Sequence, residues 1–461
     1  MAVHLKLYDK ASSLKPDGSR NWVYPADVAG RFHQLRKVTF TALCALLIAL
    51  PILQVGGNPA VFLDVQRRRF FLFGGVFNAQ DVWLVFFILT GVGFGLIYIT
   101  ALWGRIWCGY ACPQTVFLEG VYRPIERWLE GPRAERMKRD AGPWSFDKAW
   151  RKTLKHALYL GAAFGIAHII IAYFISIPRL WDMMLTRPGE HAEAFAWAAS
   201  LTAVLYFNFF WFREQMCLIV CPYGRLQSVL TDDDSLVIGY DVKRGEPRGK
   251  ARQEGVGDCV ACNRCVVVCP TGIDIRNGLQ IDCVGCARCI DACDEVMVKL
   301  SRPKGLIRYD SLRGFAGGVH RLLRPRVYFY TALGVAGVIA LSFSLWQSDP
   351  FEANVIRLRG VPPMQIDAGV VRNSFELHVV NKRSDKLVLS IEGASPAPIG
   401  YVISMPKLSL ASLSHQLVPV FVTFRIGSVK DGTRARIKLT PDHGEPMTVE
   451  LPLIAPGNAL R

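Results

Sequence analysis

Cys259-x2-Cys262-x2-Cys265-x3-Cys269-Pro270, followed by Cys283-x2-Cys286-x2-Cys289-x3-Cys293-Asp294, decides the reading of this 461-residue chain. Eight of its thirteen cysteines lie in these 35 residues. A [4Fe–4S] cube needs four thiolates converging from different directions. Three come from one tight loop and the fourth from elsewhere. The spacing is that of the bacterial ferredoxin run, in which the fourth cysteine of each run ligates the other cluster. One cluster is therefore assigned Cys259, Cys262, Cys265 and Cys293, and the other Cys283, Cys286, Cys289 and Cys269. Zinc sites place one ligand pair, a long gap and a second pair, and two unbroken tandem runs leave little room for that. Asp294 stands where a second proline is common.

The chain around this ladder is 51% hydrophobic and carries a net charge of +16. Hydrophobic and basic together suggest a membrane protein with basic loops on the cytoplasmic side. No base-stacking or groove-reading motif stands out, and no nucleic-acid partner is expected. Residues 1–37 are polar, lack the apolar core of a cleavable signal peptide, and are read as a cytoplasmic segment. Cysteines at metal spacing belong in a reducing compartment.

Five stretches are long enough to cross a bilayer, which takes about 20 apolar residues: Val38–Gly57, Val82–Trp103, Ala157–Ile177, Ala194–Phe212 and Val327–Trp346. The loop after the second holds Arg123, Arg127, Arg133, Arg136, Lys138, Arg139, Arg151 and Lys152, whereas the loop after the third holds only Arg179 and Arg187. The positive-inside rule then puts the N-terminus and the ladder in the cytoplasm and residues 347–461 outside. Arg67, Arg68 and Arg69 on an outer loop are the discord, and Phe70–Phe77 is read as an interfacial segment beside them. The organisation expected is a four-helix membrane core over 38–226, a two-cluster ferredoxin-like α+β insert over 227–326, a fifth membrane helix over 327–346, and an outer domain over 347–461. In that last part Phe375–Val380, Leu387–Ile391, Val418–Phe424, Arg434–Leu439 and Thr448–Leu453 alternate or are β-branched. Asn381-Lys382, Asp431-Gly432 and His443-Gly444 punctuate them. Such spacing suggests an antiparallel β-sandwich, serving as a docking or stabilising module.

Four more cysteines form a second set. Trp103-x-Arg105-x-Trp107-Cys108-x3-Cys112-Pro113 and Trp211-x-Arg213-x3-Cys217-x3-Cys221-Pro222 are two copies of one pattern, 109 residues apart. Each follows a pair of membrane helices, as in an internal repeat that builds a site at its shared interface. Pro113 and Pro222 suit the first turn of a new helix, with Cys112 and Cys221 at its N-terminus. There the helix dipole and Arg105, Arg213 and Arg225 are expected to lower the thiol pKa. Thiolates of this kind serve as soft-metal ligands or redox groups. Copper, a further Fe–S centre and a redox disulfide all remain open. Cys44, alone in the first span, is read as packing. His168 lies mid-span and is read as bonding another helix, at Asn208. Haem is not expected there, because no second histidine lies at similar depth. No nucleotide-binding glycine motif follows a strand, so flavin is not supported.

The whole arrangement resembles the FixG/CcoG/Rdx family of accessory proteins for assembly of cbb-type cytochrome c oxidases. The resemblance rests on Trp107-Cys108-x3-Cys112-Pro113, on Cys217-x3-Cys221-Pro222-x2-Arg225, on the ladder and on the terminal domain. It implies an immunoglobulin-like C-terminal domain and a bacterial inner-membrane location. It further implies an oxidoreductase that passes electrons from a cytoplasmic donor through two [4Fe–4S] clusters. Copper would be the substrate, reduced from Cu(II) to Cu(I) at Cys108, Cys112, Cys217 and Cys221 for delivery to oxidase subunits or copper-delivery proteins. The paired motifs are shared with polyferredoxins of the NapH and NosR kinds, so a quinol dehydrogenase is the alternative. A non-enzymatic assembly factor or Fe–S sensor is the other.

Overall fold

The computed structural model describes residues 17, 20–66, 69–78, 83–251, 253–321, 323–346, 351–358, 360–367, 369–382, 385–395, 398–412, 414–430 and 432–454. Arg67, Arg68, Val82 and Asp431 lie outside these. The chain divides into two compact units: Met1–Gln54, Pro59–Val65 and Trp83–Ala340 form one, and Val55–Asn58, Gln66–Val82 and Leu341–Arg461 the other.

The first unit begins with α1 (Arg31–Ala49) and α2 (Trp83–Trp103). Three short pieces follow: α3 (Ile106–Tyr110), α4 (Pro113–Phe117) and, after a wide turn at Leu118–Tyr122, α5 (Arg123–Glu130). Then come α6 (Arg133–Ala141), α7 (Phe146–Ile171), α8 (Ile177–Leu185), α9 (Ala192–Phe207) and α10 (Pro222–Leu230). Four helices among the described residues are long and apolar enough to cross a membrane: Leu84–Trp103, Phe146–Ile171, Ala192–Phe212 and Pro325–Leu345. The stretch expected to cross first is not among them. Its helix α1 starts at Arg31 and takes Arg36 and Lys37 into its second turn, while Pro51 follows its end. The apolar run Val38–Ala49 is about 18 Å long at 1.5 Å per residue, short of a ~30 Å hydrocarbon core. Helix α7 starts 11 residues before the expected span, because the Ser145 hydroxyl caps it by accepting from the Lys148 N–H at 3.2 Å.

The cysteine ladder lies in a small α+β part of the same unit. Strands Val237–Tyr240 and Ile307–Asp310 pair antiparallel, and between them come α11 (Val242–Gly245), α12 (Arg264–Val267) and α13 (Arg288–Lys299). Ile238, Ile273, Ile275, Ile290, Met297 and Leu306 pack around the cysteines. The two runs repeat in backbone as well as sequence. Ala261 and Asn263 have φ of 55° and 57°, and Gly285 and Ala287 have φ of 67° and 59°. These left-handed residues fold each loop back so that its three thiols face one centre. Three of the four are not glycine, a cost that tends to be tolerated at functional sites. Asp294 is explained by its surroundings: α13 continues through it, and its carboxylate accepts from the Gly305 N–H at 2.9 Å. After α14 (Leu312–Phe315), α15 (Pro325–Trp346) ends this part.

In the second unit, residues Phe351–Pro452 form two antiparallel sheets. One runs Gly400–Ile403, His415–Arg425, Val370–Asn381, Phe351–Arg357, with Met364–Asp367 also on the third of these; the other runs Lys407–Leu410, Leu387–Gly393, Arg434–Pro441, Met447–Pro452. Period-two burial puts Val418, Val420, Val422 and Phe424 of one sheet against Ala435, Ile437 and Leu439 of the other in a single apolar core. All five segments anticipated from alternation lie in or against strands of this sandwich. Phe70–Phe77, read as an interfacial segment, is a β-hairpin of Arg69–Leu72 and Gly75–Asn78, with Phe70 opposite Phe77.

Candidate functional site: two Cys-x3-Cys-Pro loops against the cysteine ladder

The two Cys-x3-Cys-Pro copies fold alike. Cys112 is extended (φ −61°, ψ 126°) and caps α4, and Cys221 (φ −66°, ψ 110°) caps α10, each with proline at the first helical position. In each copy the capping cysteine's N–H bonds the carbonyl five residues back, Trp107 at 2.9 Å and Met216 at 2.8 Å. Cys217 lies in a wide turn, Met216–Val220, of the π type that recurs at functional sites. The loops meet. The buried Gln227 side chain on α10 donates to the Cys108 sulfur at 3.3 Å. Cys217 stands within electrostatic range of Cys112, Cys108 and Cys221. The structure therefore brings the four cysteines of this set into one site.

The lowered thiol pKa expected at the helix start is overturned at Cys112. Burial pushes Cys108 up to about 11, against the Gln227 hydrogen bond, and raises Cys217 further. Cys112 is raised too, burial outweighing the N–H groups of Gln114 and Thr115 at its helix start. Two of the arginines named for this role have other partners, although Arg105 still draws Cys108 down against the larger effect of burial. Arg105 donates to the carbonyls of Ile281, Cys283 (3.0 Å) and Gly224 (2.8 Å). Arg213 pairs with Glu126 at 2.8 Å. Among the described residues no three His, Cys, Asp or Glu groups converge tightly enough to grip a single metal ion. His168 is also corrected: its Nδ1 faces the Phe164 carbonyl of its own helix at 2.8 Å, and Asn208 instead donates to Gln114 at 2.7 Å.

The first Cys-x3-Cys-Pro loop is seated on the ladder. A β-carbon at Gly109 would stand 2.6 Å from the Gly285 carbonyl oxygen and 3.0 Å from Cys286 Cα. A β-carbon at Gly285 would stand 2.7 Å from the Arg105 oxygen. Two glycines thus let residues 105–109 and 285–286 meet backbone to backbone. Tyr309 locks the seam by donating to the Gly285 carbonyl at 2.7 Å.

The ladder cysteines line two adjoining cavities. One is bordered by Cys259, Cys262, Cys265 and Cys293, with Tyr240, Met297 and Leu306. The other is bordered by Cys269, Cys283, Cys286 and Cys289, with Ile238, Ile273 and Ile275, and Cys265 lies between the two. Burial raises the thiols, Cys265 to about 11 and Cys283 and Cys293 to about 12. Enclosed, apolar, all-cysteine cavities fit [4Fe–4S] groups. A cube holds its thiolates on separate iron corners, so its ligands stand further apart than those of one ion.

Around this seam lies a buried ion network that no sequence motif announced. Glu119 pairs with Arg123 at 2.6 Å and Arg288 at 2.8 Å. Glu126 pairs with Arg213 at 2.8 Å and Arg136 at 3.2 Å. Glu130 holds Lys152 and Lys155, each at 2.9 Å. Burial alone would raise Glu119 and Glu126, but the surrounding cations win and hold both at about 2. The signal available was local: Glu119, Arg123, Glu126 and Glu130 recur at helical spacing in an otherwise amphipathic loop.

Comparison with known proteins agrees with this organisation. A family described as "4Fe-4S dicluster domain" matches residues 212–312, "4Fe-4S binding domain" matches 84–132, and the immunoglobulin-like fold at the C-terminal of FixG matches 341–456. The nitrogen fixation protein FixG of Rhizobium meliloti is 32% identical over 475 residues, covering 93% of this chain and 86% of that protein. RdxB of Cereibacter sphaeroides is 34% identical over 399 residues, covering 82% of this chain and 83% of that one. A FixG-related protein from Vibrio parahaemolyticus, solved by crystallography, covers 24% of this chain and 99% of its own at 19% identity, with a TM-score of 0.21. At 32% and 34% identity over most of both chains, and with the 4Fe-4S dicluster and FixG C-terminal matches, the chain belongs to the FixG/Rdx family.

Proposed function

We propose that this protein is a membrane oxidoreductase that takes electrons from a cytoplasmic donor and reduces Cu(II) to Cu(I) at Cys108, Cys112, Cys217 and Cys221, in support of cbb-type oxidase assembly. The observation that carries the proposal is the contact of Gly109 with Gly285 and Cys286. It sets the residue next to Cys108 against a ladder cysteine with no side chain between. Cys259, Cys262, Cys265 and Cys293 would hold one [4Fe–4S] group and Cys269, Cys283, Cys286 and Cys289 the other, a crossed pairing supported by the two cavities. Such groups, when bound, supply one-electron transfer, which matches a one-electron change at copper. Soft thiolates favour the cuprous product. The chain's own part is to hold the four cysteines half-buried and to keep the two loops in register through Gln227, Arg105 and Tyr309.

The basic residues exposed on the 104–145 side support a cytoplasmic ladder. The structure also supports α1 as a fifth crossing. At its start, Asp291 of the ladder helix accepts from the His33 N–H at 2.8 Å. At its end, the Leu47 carbonyl accepts from Tyr173, just past the far end of α7, at 2.7 Å. Helix α1 thus runs from the ladder helix to the far end of α7, although its apolar run alone is short for a crossing. Counted with the four longer helices, it would put the terminal β domain outside.

A second reading is favoured by one comparison. The "4Fe-4S binding domain" match over 84–132 contains Cys108 and Cys112 but no ladder cysteine. The two Cys-x3-Cys-Pro loops would then share a third iron–sulfur group. Iron analysis of anaerobically purified protein separates the two. About eight irons per chain is the expectation for two cubes, and about twelve would favour the second reading.

A further inference from the structure

Two cations beside the buried ion network make no ion pair of their own, although Arg36 adds to the positive charge around Glu119. Arg123 and Arg288 are matched by Glu119, Arg136 by Glu126, and Arg127 by Asp27. Arg36 and Lys37 on α1 have no ion-pair partner among the described residues. Arg36 is 2% exposed, and its Nε donates to the Gly109 carbonyl at 3.0 Å. Its Nη2 is fully buried with no hydrogen-bond partner. A buried guanidinium N–H with nothing to bond carries a cost that natural proteins rarely leave unmet.

Arg36 borders a cleft of about 930 Å³ between α1 and the turn joining α4 to α5. The cleft has two ends. At one lie Arg36 and Lys37, with His33 and the paired cations beside them. At the other lie Phe40, Cys44 and Ile48. Residues 36, 40, 44 and 48 are four apart, so they run up one side of the helix. From Phe40 to Ile48 the helix rises about 12 Å, enough to carry much of an extended acyl chain. A cationic end followed by an apolar stripe, on a helix that runs from the ladder helix to the far end of α7, is complementary to an anionic amphiphile. An uncharged ligand such as a quinone would add no negative charge to a cleft whose cations, Arg36, Lys37, Arg123, Arg127, Arg136 and Arg288, outnumber its carboxylates, Asp27 and Glu119.

We propose that this cleft holds one anionic phospholipid, its phosphate on Arg36 and Lys37 and an acyl chain along Phe40, Cys44 and Ile48. This site goes beyond the proposed copper chemistry and does not depend on it. It also gives Cys44 a role, as part of the wall an acyl chain lies on.

The test is lipid analysis of the full chain purified in mild detergent, with phosphorus per chain and head groups identified by mass spectrometry. About one anionic phospholipid per chain is expected to survive washing. Arg36→Gln, with its iron content checked against the parent, is expected to lower that retention at least fivefold. Ala45→Trp fills the apolar end without touching a cation and is expected to do the same, which keeps the test decisive if Arg36→Gln fails to fold. Delipidated protein is expected to regain thermal stability with phosphatidylglycerol vesicles and not with inorganic phosphate. The proposal is overturned if no phospholipid is retained, if a quinone is recovered in its place, if both variants retain as much lipid as the parent, or if inorganic phosphate stabilises as well as the vesicles.

Discussion

Gly109 matters for the side chain it lacks. Its α-carbon faces Gly285 and Cys286 at a distance no β-carbon tolerates. Gly109→Ala should force residues 105–109 off the ladder loop while leaving every cysteine in place. Iron content should stay at the parental level, and Cu(II) reduction should slow about tenfold or more, since small misplacements near reacting groups cost rate steeply. An unchanged rate would remove the contact from the mechanism. Glu126 makes a different prediction. Its removal strands Arg213 and Arg136 in a buried setting, and breaking a buried pair costs roughly 3–5 kcal/mol. Glu126→Gln should show this as a lower melting temperature in detergent. The sign with pH follows from Glu119 and Glu126 being held at about 2, below an ordinary value of 4.5. Their contribution is complete above 4.5 and is lost as pH falls toward 2. The ladder's eight cysteines were legible from spacing alone. The raised thiols of Cys108, Cys112 and Cys217 were not, because the burial that raises them is a tertiary fact, as are the partners Cys283 of Arg105 and Glu126 of Arg213.

Among elements, α1 and α13 show where sequence patterns run short. The apolar run in α1 is too brief to read as a full span, yet contacts at its two ends place it beside both the ladder helix and the far end of α7. The basic loop that oriented the chain also contains residues that never meet solvent. Arg123 and Arg136 are buried partners of Glu119 and Glu126. The orientation argument therefore rests more on exposed cations such as Arg127. In α13, Asp294 lies in the helix interior, where a proline would remove a backbone bond and clash with the preceding turn. Asp294→Pro should destabilise the ladder by about 3 kcal/mol or more, seen as faster iron loss to a chelator than from the parent protein. The Cys-x3-Cys-Pro helix starts were readable because proline at the first turn has a local cause. Their mutual contact through Gln227 and Cys108 has none.

At the scale of the molecule, the terminal β domain has its own apolar core, from Phe351 to Leu453. Residues 347–461 expressed alone should melt cooperatively without iron, followed by circular dichroism. A broad, non-cooperative melt would show that the domain depends on the rest of the chain. Alternation disclosed its long strands, whereas the edge strands Gly400–Ile403 and Lys407–Leu410 are four residues each and carry too little pattern to announce themselves. The first unit sets the cysteine ladder against a second, half-buried cysteine set through a glycine seam, an arrangement suited to passing electrons from one to the other. The most direct test is anaerobic Cu(II) reduction by the purified full chain, its iron reduced by dithionite, compared with single Ser variants at Cys108, Cys112, Cys217 and Cys221. The account predicts Cu(I) formation by the parent protein and at least a tenfold loss of rate in the variants at unchanged ladder iron. Variants that reduce copper at the parental rate would contradict it.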